Sequence, residues 1–148
     1  MNDPLPPDAA SPTERVAVSN RQDIAVDESG LADLAEQVLV GEGAPEGELS
    51  LSFVSSEEMQ QLHAKYMQEA GPTDVLAFPM GEEGLLGDVV ICPEEARRND
   101  PDLEAELRLL VVHGTLHLLG HDHGDAATRR EMWSRQERYS GVRLEDER

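Results

Sequence analysis

The chain is short of cysteine, of aromatic residues and of positive charge. Among 148 residues only Cys92 carries a thiol, so no intrachain disulfide can form, in keeping with a reducing compartment. Aromatics make up 3%, which leaves Leu, Val, Ile and Ala to build a core. Lys and Arg number 12 against 31 Asp and Glu, for a formal charge of −19. A surface of that sign disfavours indiscriminate binding to nucleic acid or anionic membrane. The shortage is uneven. Before residue 61 only Arg15 and Arg21 are basic, so any polyanion would be met by the second half, where Arg97, Arg98, Arg108 and the Arg129 to Arg138 region lie. No apolar run is long enough to span a bilayer. The opening Met1-Asn2-Asp3-Pro4 lacks the basic-then-apolar pattern of a secretory leader. The expected location is the cytoplasm, away from membranes.

What is present reads as one domain. Residues 1–14, with Pro4, Pro6, Pro7 and Pro12, form a disordered or loosely attached arm; residues 15–148 form the domain. A first strand is expected within Arg15 to Ala25. A helix follows over Asp27 to Val40, capped by Asp27 or Ser29. Leu49, Leu51 and Phe53 alternate with Ser50, Ser52 and Val54 in a strand from Glu48 to Ser55. Ser55 or Ser56 caps a second helix reaching about Tyr66. Short strands are expected over Asp74 to Phe78 and Leu85 to Cys92, then a short helix opened by Pro93. Asp102 caps a helix apolar on nearly every side, which places it in the middle of the domain. A last helix covers Asp125 to Tyr139, with Met132, Trp133 and Gln136 on one side. The fold class is α+β, or a compact α/β layer. About four strands form a mixed sheet packed with helices around a buried central helix.

That central helix carries the chemistry. Four of the five histidines lie between residues 113 and 123, and only His63 falls outside. His113 and His117 are spaced i, i+4, so a helix puts both imidazoles on one face, one turn apart. Gly120 can take the left-handed conformation that ends the helix, and the turn brings His123 round as a third candidate ligand. Three imidazoles and one open position are the arrangement of a catalytic zinc. A lone histidine on an apolar helix is more often simply packed and hydrogen-bonded; three at this spacing, with the glycine, point to one metal ion per chain. His121 and Asp122 sit in the turn, as rim of the site or as partners that orient a ligand. Asp122, His121 or Cys92 as a fourth ligand of a closed structural site is a weaker alternative, because such sites draw a cleaner Cys/His set.

The spacing His-x-x-x-His-x-x-Gly-x-x-His is also that of the metzincin peptidases. Their reaction needs a Glu directly after the first His to take a proton from water. Here that residue is Gly114, which counts against peptide hydrolysis.

The segment His113-Gly114-Thr115-Leu116-His117-Leu118-Leu119-Gly120-His121-Asp122-His123 resembles the signature of the YbeY family of bacterial endoribonucleases. Two further stretches agree: Tyr66 through Pro72-Thr73-Asp74-Val75-Leu76-Ala77-Phe78-Pro79, and Leu86-Gly87-Asp88-Val89-Val90-Ile91. The likeness runs from about Leu49 to Tyr139. It implies a zinc-dependent, single-strand-specific endoribonuclease that matures the 3′ end of small-subunit (16S) rRNA and serves ribosome quality control. By position it makes His113, His117 and His123 the zinc ligands. Three departures stand out. His121 replaces the family's Tyr, Ala77 its Ser, and Met67 an Arg that would bind phosphate. Either Lys65, Arg97 or Arg98 fills that role, or phosphodiester cleavage is weak; a non-catalytic, zinc-stabilised ribosome assembly factor is a separate alternative that Met67 makes credible. Water and the ribose 2′-OH both remain open as nucleophile. Thr73, Asp74, Arg97 and Arg98 are candidates to line a substrate groove, although a strand cap with a solvated Asp accounts for Thr73 and Asp74 equally well. Asp88 reads as a turn residue after Gly87. The acidic body repels free RNA. The expected partner is therefore single-stranded rRNA on the ribosome, with a basic ribosomal protein or an assembly GTPase delivering the enzyme, and no DNA.

Overall fold

The structure, a computed structural model, describes residues 15–67, 73–80, 84–120 and 126–142. The N-terminal arm, the Gly71-Pro72 turn and the segment His121 to Asp125 lie outside the described residues.

Nine elements follow one another. They are β1 (Val16–Arg21), α1 (Glu28–Gly41), β2 (Glu48–Val54), α2 (Ser56–Met67), β3 (Val75–Pro79), β4 (Leu85–Ile91), α3 (Pro93–Asn99), α4 (Leu103–Leu118) and α5 (Ala126–Ser140). The four strands form one sheet in the order β1-β2-β4-β3. The first three lie parallel, and β3 runs antiparallel to β4 at the border. The mixed α+β architecture is the one expected. β1 stops at Arg21, short of the Arg15 to Ala25 window, because Asn20 and Gln22 turn their amides onto neighbouring groups, including the Gln22 backbone and the Ile24 carbonyl.

Strand alternation divides the core in two. Leu49, Leu51, Phe53, Val89 and Ile91 face α1 and α4 in the main cluster. Val54, Leu76, Val90 and Cys92 face the other way, where Met59 of α2 closes a smaller cluster. Successive side chains of a strand point to opposite faces, so one apolar strand feeds both layers. Asp88 is in mid-strand, opposite Ser50 and Phe78. It does not form a turn, because Gly87 stays within the ladder.

Capping residues fix the helix starts. Asp27 accepts from the Gly30 amide, Ser55 from that of Glu58 and Asp102 from that of Ala105. Each such cap contributes about 1 kcal/mol. α4 is the hub. Leu107, Leu109, Leu110, Val111, Val112 and Leu116 are buried, each contributing about 1.5–3 kcal/mol relative to exposure. α5 is pinned across it: Arg108 donates to the Ser140 carbonyl. Glu42, just past α1, accepts from Arg135 at 3.1 Å and from the Tyr139 hydroxyl at 2.7 Å. Among the described residues no helix is long and apolar enough to cross a membrane.

Candidate metal centre

α4 presents His113 and His117 in its last turns, both half-buried. Their ring centroids stand 4.7 Å apart with the planes at 59°. Two imidazoles on one tetrahedral ion, with Zn–N of about 2.0–2.1 Å, place their centroids roughly 5 Å apart. The pair therefore fits a shared ion. One turn on, the Gly120 amide donates to the His117 carbonyl at 3.0 Å, and Gly120 adopts φ +101°. The chain thus leaves the helix in the left-handed region that favours glycine. His123, His121 and Asp122 lie outside the described residues. Among the described residues no three His, Cys, Asp or Glu side chains form a metal-sized group.

His113 has a partner that composition and spacing did not single out. Its Nδ1 meets Oε1 of Gln136, a buried residue of α5. A carboxamide oxygen only accepts, so Nδ1 carries the proton and donates. The lone pair of the neutral ring is then on Nε2, the form in which histidine binds a metal. Sequence patterning left Gln136 beside Met132 and Trp133 as part of a packing stripe. Its relation to a histidine 23 positions earlier has no local signature.

Two small clefts meet at His113. One, of about 180 Å³, is lined by Asp74, Val75, Leu109, Leu110, His113 and Gln136. The other, of about 210 Å³, is lined by Val75, Leu76, Ala77, His113, Gly114 and His117. Asp74 is thus brought to the histidines, and it is held: Asn99 Nδ2 donates to Asp74 at 2.7 Å and to the buried Glu106 at 3.2 Å. Thr73 precedes it, half-buried. Arg97 and Arg98 are exposed on α3 and line neither cleft; Arg98 pairs with Glu94 and Glu95 instead. Lys65 lies 5.1 Å over the Tyr66 ring. A larger cavity, about 690 Å³, opens between the start of α1, the start of α4 and Tyr139. It holds none of the candidate ligands, so chemistry rather than volume marks the site.

Gly114 owes its place to packing. A Cβ there would stand 2.7 Å from Val89 Cγ1 and 3.2 Å from Val75 Cγ2. α4 lies so close to the sheet that the glutamate of a metzincin has no room at this position. Cys92 is buried at the end of the sheet and is not among the residues lining either cleft, and desolvation pushes its thiol pKa up. A metal ligand needs the opposite shift, toward thiolate.

A mixed sheet backed by a buried helix that bears an i, i+4 histidine pair defines an α+β domain built around one polar centre. The comparisons give that domain its family. Residues 17–141 match the model of the family described as Endoribonuclease YbeY. A protein of Beutenbergia cavernae named Endoribonuclease YbeY is 45% identical over 80% of this chain and 90% of its own length. One of the same name from Thermobifida fusca is 42% identical over 82% and 88%. A Thermotoga maritima protein solved in solution superposes with a TM-score of 0.56 at 29% identity, covering 84% of this chain and 86% of that one. The chain belongs to the endoribonuclease YbeY family.

Proposed function

We propose that this protein is a zinc-dependent endoribonuclease that cuts single-stranded RNA. Its substrate is the 3′ end of the small-subunit (16S) rRNA, met on the ribosome in the cytoplasm during maturation and quality control. The observation that carries the reading is the His113–His117 pair on a buried helix, with Gln136 fixing the Nδ1 proton of His113. His113, His117 and His123 would hold the ion. When bound, zinc polarises a phosphate oxygen and lowers the pKa of water. The chain's own residues supply the rest. The Leu109 to Leu118 stretch keeps the helix rigid, and a rigid element holds ligands better than a loop. Asp74, fixed by Asn99, sets an acceptor at the mouth of the neighbouring cleft, and in this reading Asp122 orients a ligand histidine.

Delivery by a basic ribosomal protein or an assembly GTPase fits the charge of −19, which opposes capture of naked RNA. The alternative of a non-catalytic, zinc-stabilised assembly factor draws on one observation: among the described residues no Lys or Arg lines the two clefts at His113. Peptide hydrolysis has the packing around Gly114 against it.

Metal content by elemental analysis, followed by cleavage of single-stranded RNA and of casein, compares the wild type with His117→Ala. Zinc near one per chain and RNA cleavage, both lost in the variant, are expected. Zinc without RNA cleavage overturns the nuclease reading in favour of the assembly factor; casein cleavage overturns both.

A further inference from the structure

The border strand of the sheet runs directly beside the histidines. Val75, Leu76 and Ala77 of β3 share the 210 Å³ cleft with His113, Gly114 and His117. The hydrogen bonds decide which main-chain groups of β3 are committed to β4. The Asp74 carbonyl accepts from the Cys92 amide at 2.9 Å, and the Met80 amide donates to the Leu86 carbonyl at 3.1 Å. Between them Leu76 is opposite Val90 and Phe78 opposite Asp88. In an antiparallel pair, successive residues alternate between groups turned to the partner and groups turned away. The even-numbered residues of β3 are therefore bonded to β4. The N–H and C=O of Val75 and Ala77 face outward, and among the described residues no further strand pairs with that border.

We infer that the outer border of β3 reads unpaired bases: the N–H and C=O of Val75 and Ala77 pair with the Watson–Crick edges of an RNA strand laid along the cleft toward His113 and His117. The inference rests on the endoribonuclease reading. It supplies something the cleft side chains do not, since only Asp74, Gln136 and the two histidines among them are polar. A peptide unit offers one donor and one acceptor, and an exposed base edge offers the same two kinds of group. Recognition of RNA sequence works largely on such splayed, unpaired bases.

Two features fit a single strand and reject a duplex. In a duplex the Watson–Crick edges are already occupied. The outward groups of Val75 and Ala77 also recur at about 6.8 Å, twice the rise per strand residue, whereas stacked nucleotides in a B-form strand advance only about 3.4 Å. A stretched, unstacked strand matches the longer repeat. A small residue leaves room for it: Ala77 is half-buried at the cleft. Pro79, without an amide, ends the row of donors.

The test removes one outward donor and spares the ladder. Proline is tolerated on a border strand where its missing amide faces outward. Ala77→Pro is compared with the wild type as the zinc-loaded full chain. Melting temperature and zinc content are measured alongside cleavage of a single-stranded oligoribonucleotide and of the same sequence annealed to its complement. Because Ala77→Pro can fail to fold, a backbone ester at residue 77, which removes the N–H and keeps the side chain while weakening the Leu76 carbonyl as an acceptor, is the second variant. Loss of a single neutral hydrogen bond predicts a KM about three- to tenfold higher for the ester, and at least that for the proline, with zinc content unchanged. A folded ester variant with wild-type KM overturns the inference while leaving the nuclease reading intact. So does competition by casein, but not by uncut single-stranded RNA, for the wild-type cleft. A wild type that neither binds nor cuts RNA overturns the nuclease reading and this inference together.

Discussion

Replacing Gln136 by Leu tests how the metal centre is built. The two side chains are close in size, so the packing of α5 on α4 survives. Only the carboxamide goes, and with it the acceptor for His113 Nδ1. Two consequences follow. The Nδ1–H loses this acceptor, at a cost of about 0.5–1.5 kcal/mol for one hydrogen bond. The imidazole is also released to place its proton on Nε2, the nitrogen that must be bare to bind an ion. Outer partners of ligand histidines typically contribute 10- to 100-fold in metal affinity, which equals about 1.4–2.7 kcal/mol. Zinc affinity, measured by competition with a chromophoric chelator at fixed pH, should fall by that factor. In Gln136→Glu, where an acceptor is kept and a negative charge added, it should hold or tighten. Nitrogen-15 spectra of the zinc-free protein should show the His113 proton on Nδ1 in the wild type and redistributed in Gln136→Leu. A folded Gln136→Leu protein with unchanged zinc affinity and an unchanged His113 tautomer would refute the argument.

Two further outcomes concern stability. Gly114→Ala forces a methyl against Val89 and Val75 and should destabilise the fold by about 1–3 kcal/mol, read as a lower midpoint in urea; a neutral effect would mean that α4 can lift from the sheet. Tyr139 has its pKa raised by burial and then by its hydrogen bond to Glu42. Being raised in the folded state, it contributes stability that is complete below the ordinary phenol value and is lost as pH climbs through the folded one. Tyr139→Phe should be less stable than wild type by about 1 kcal/mol near neutrality, and that difference should shrink in alkali; a gap that widens there would refute the assignment.

Much of this was legible from local pattern, and the exceptions share a cause. Asp102 and Gly120 mark their helix ends through their own side chain or its absence, and the His113–His117 spacing needs only the period of a helix. Gln136 could not be found that way. A polar residue among Met132 and Trp133 looks the same whether it meets solvent or a histidine on another helix. The tethering of Asp74 by Asn99, 25 positions away, is hidden for the same reason. Gly114 was read for the chemistry it lacks, yet its stronger constraint is the nearness of Val89, which depends on how far α4 stands from the sheet. That β3 is a border strand follows from the strand order β1-β2-β4-β3, and no stretch of residues announces it.

The histidine pair sits in the closing turns of α4, at the negative end of the helix dipole. This end attracts a cation and repels a phosphate. In a chain already so acidic, this helix end adds to the repulsion of a nucleic acid backbone. If the proposed zinc binds here, it would reverse the local sign, and the order expected is ion first, polyanion second. Starving the protein of metal would then abolish docking itself and not merely slow the cut.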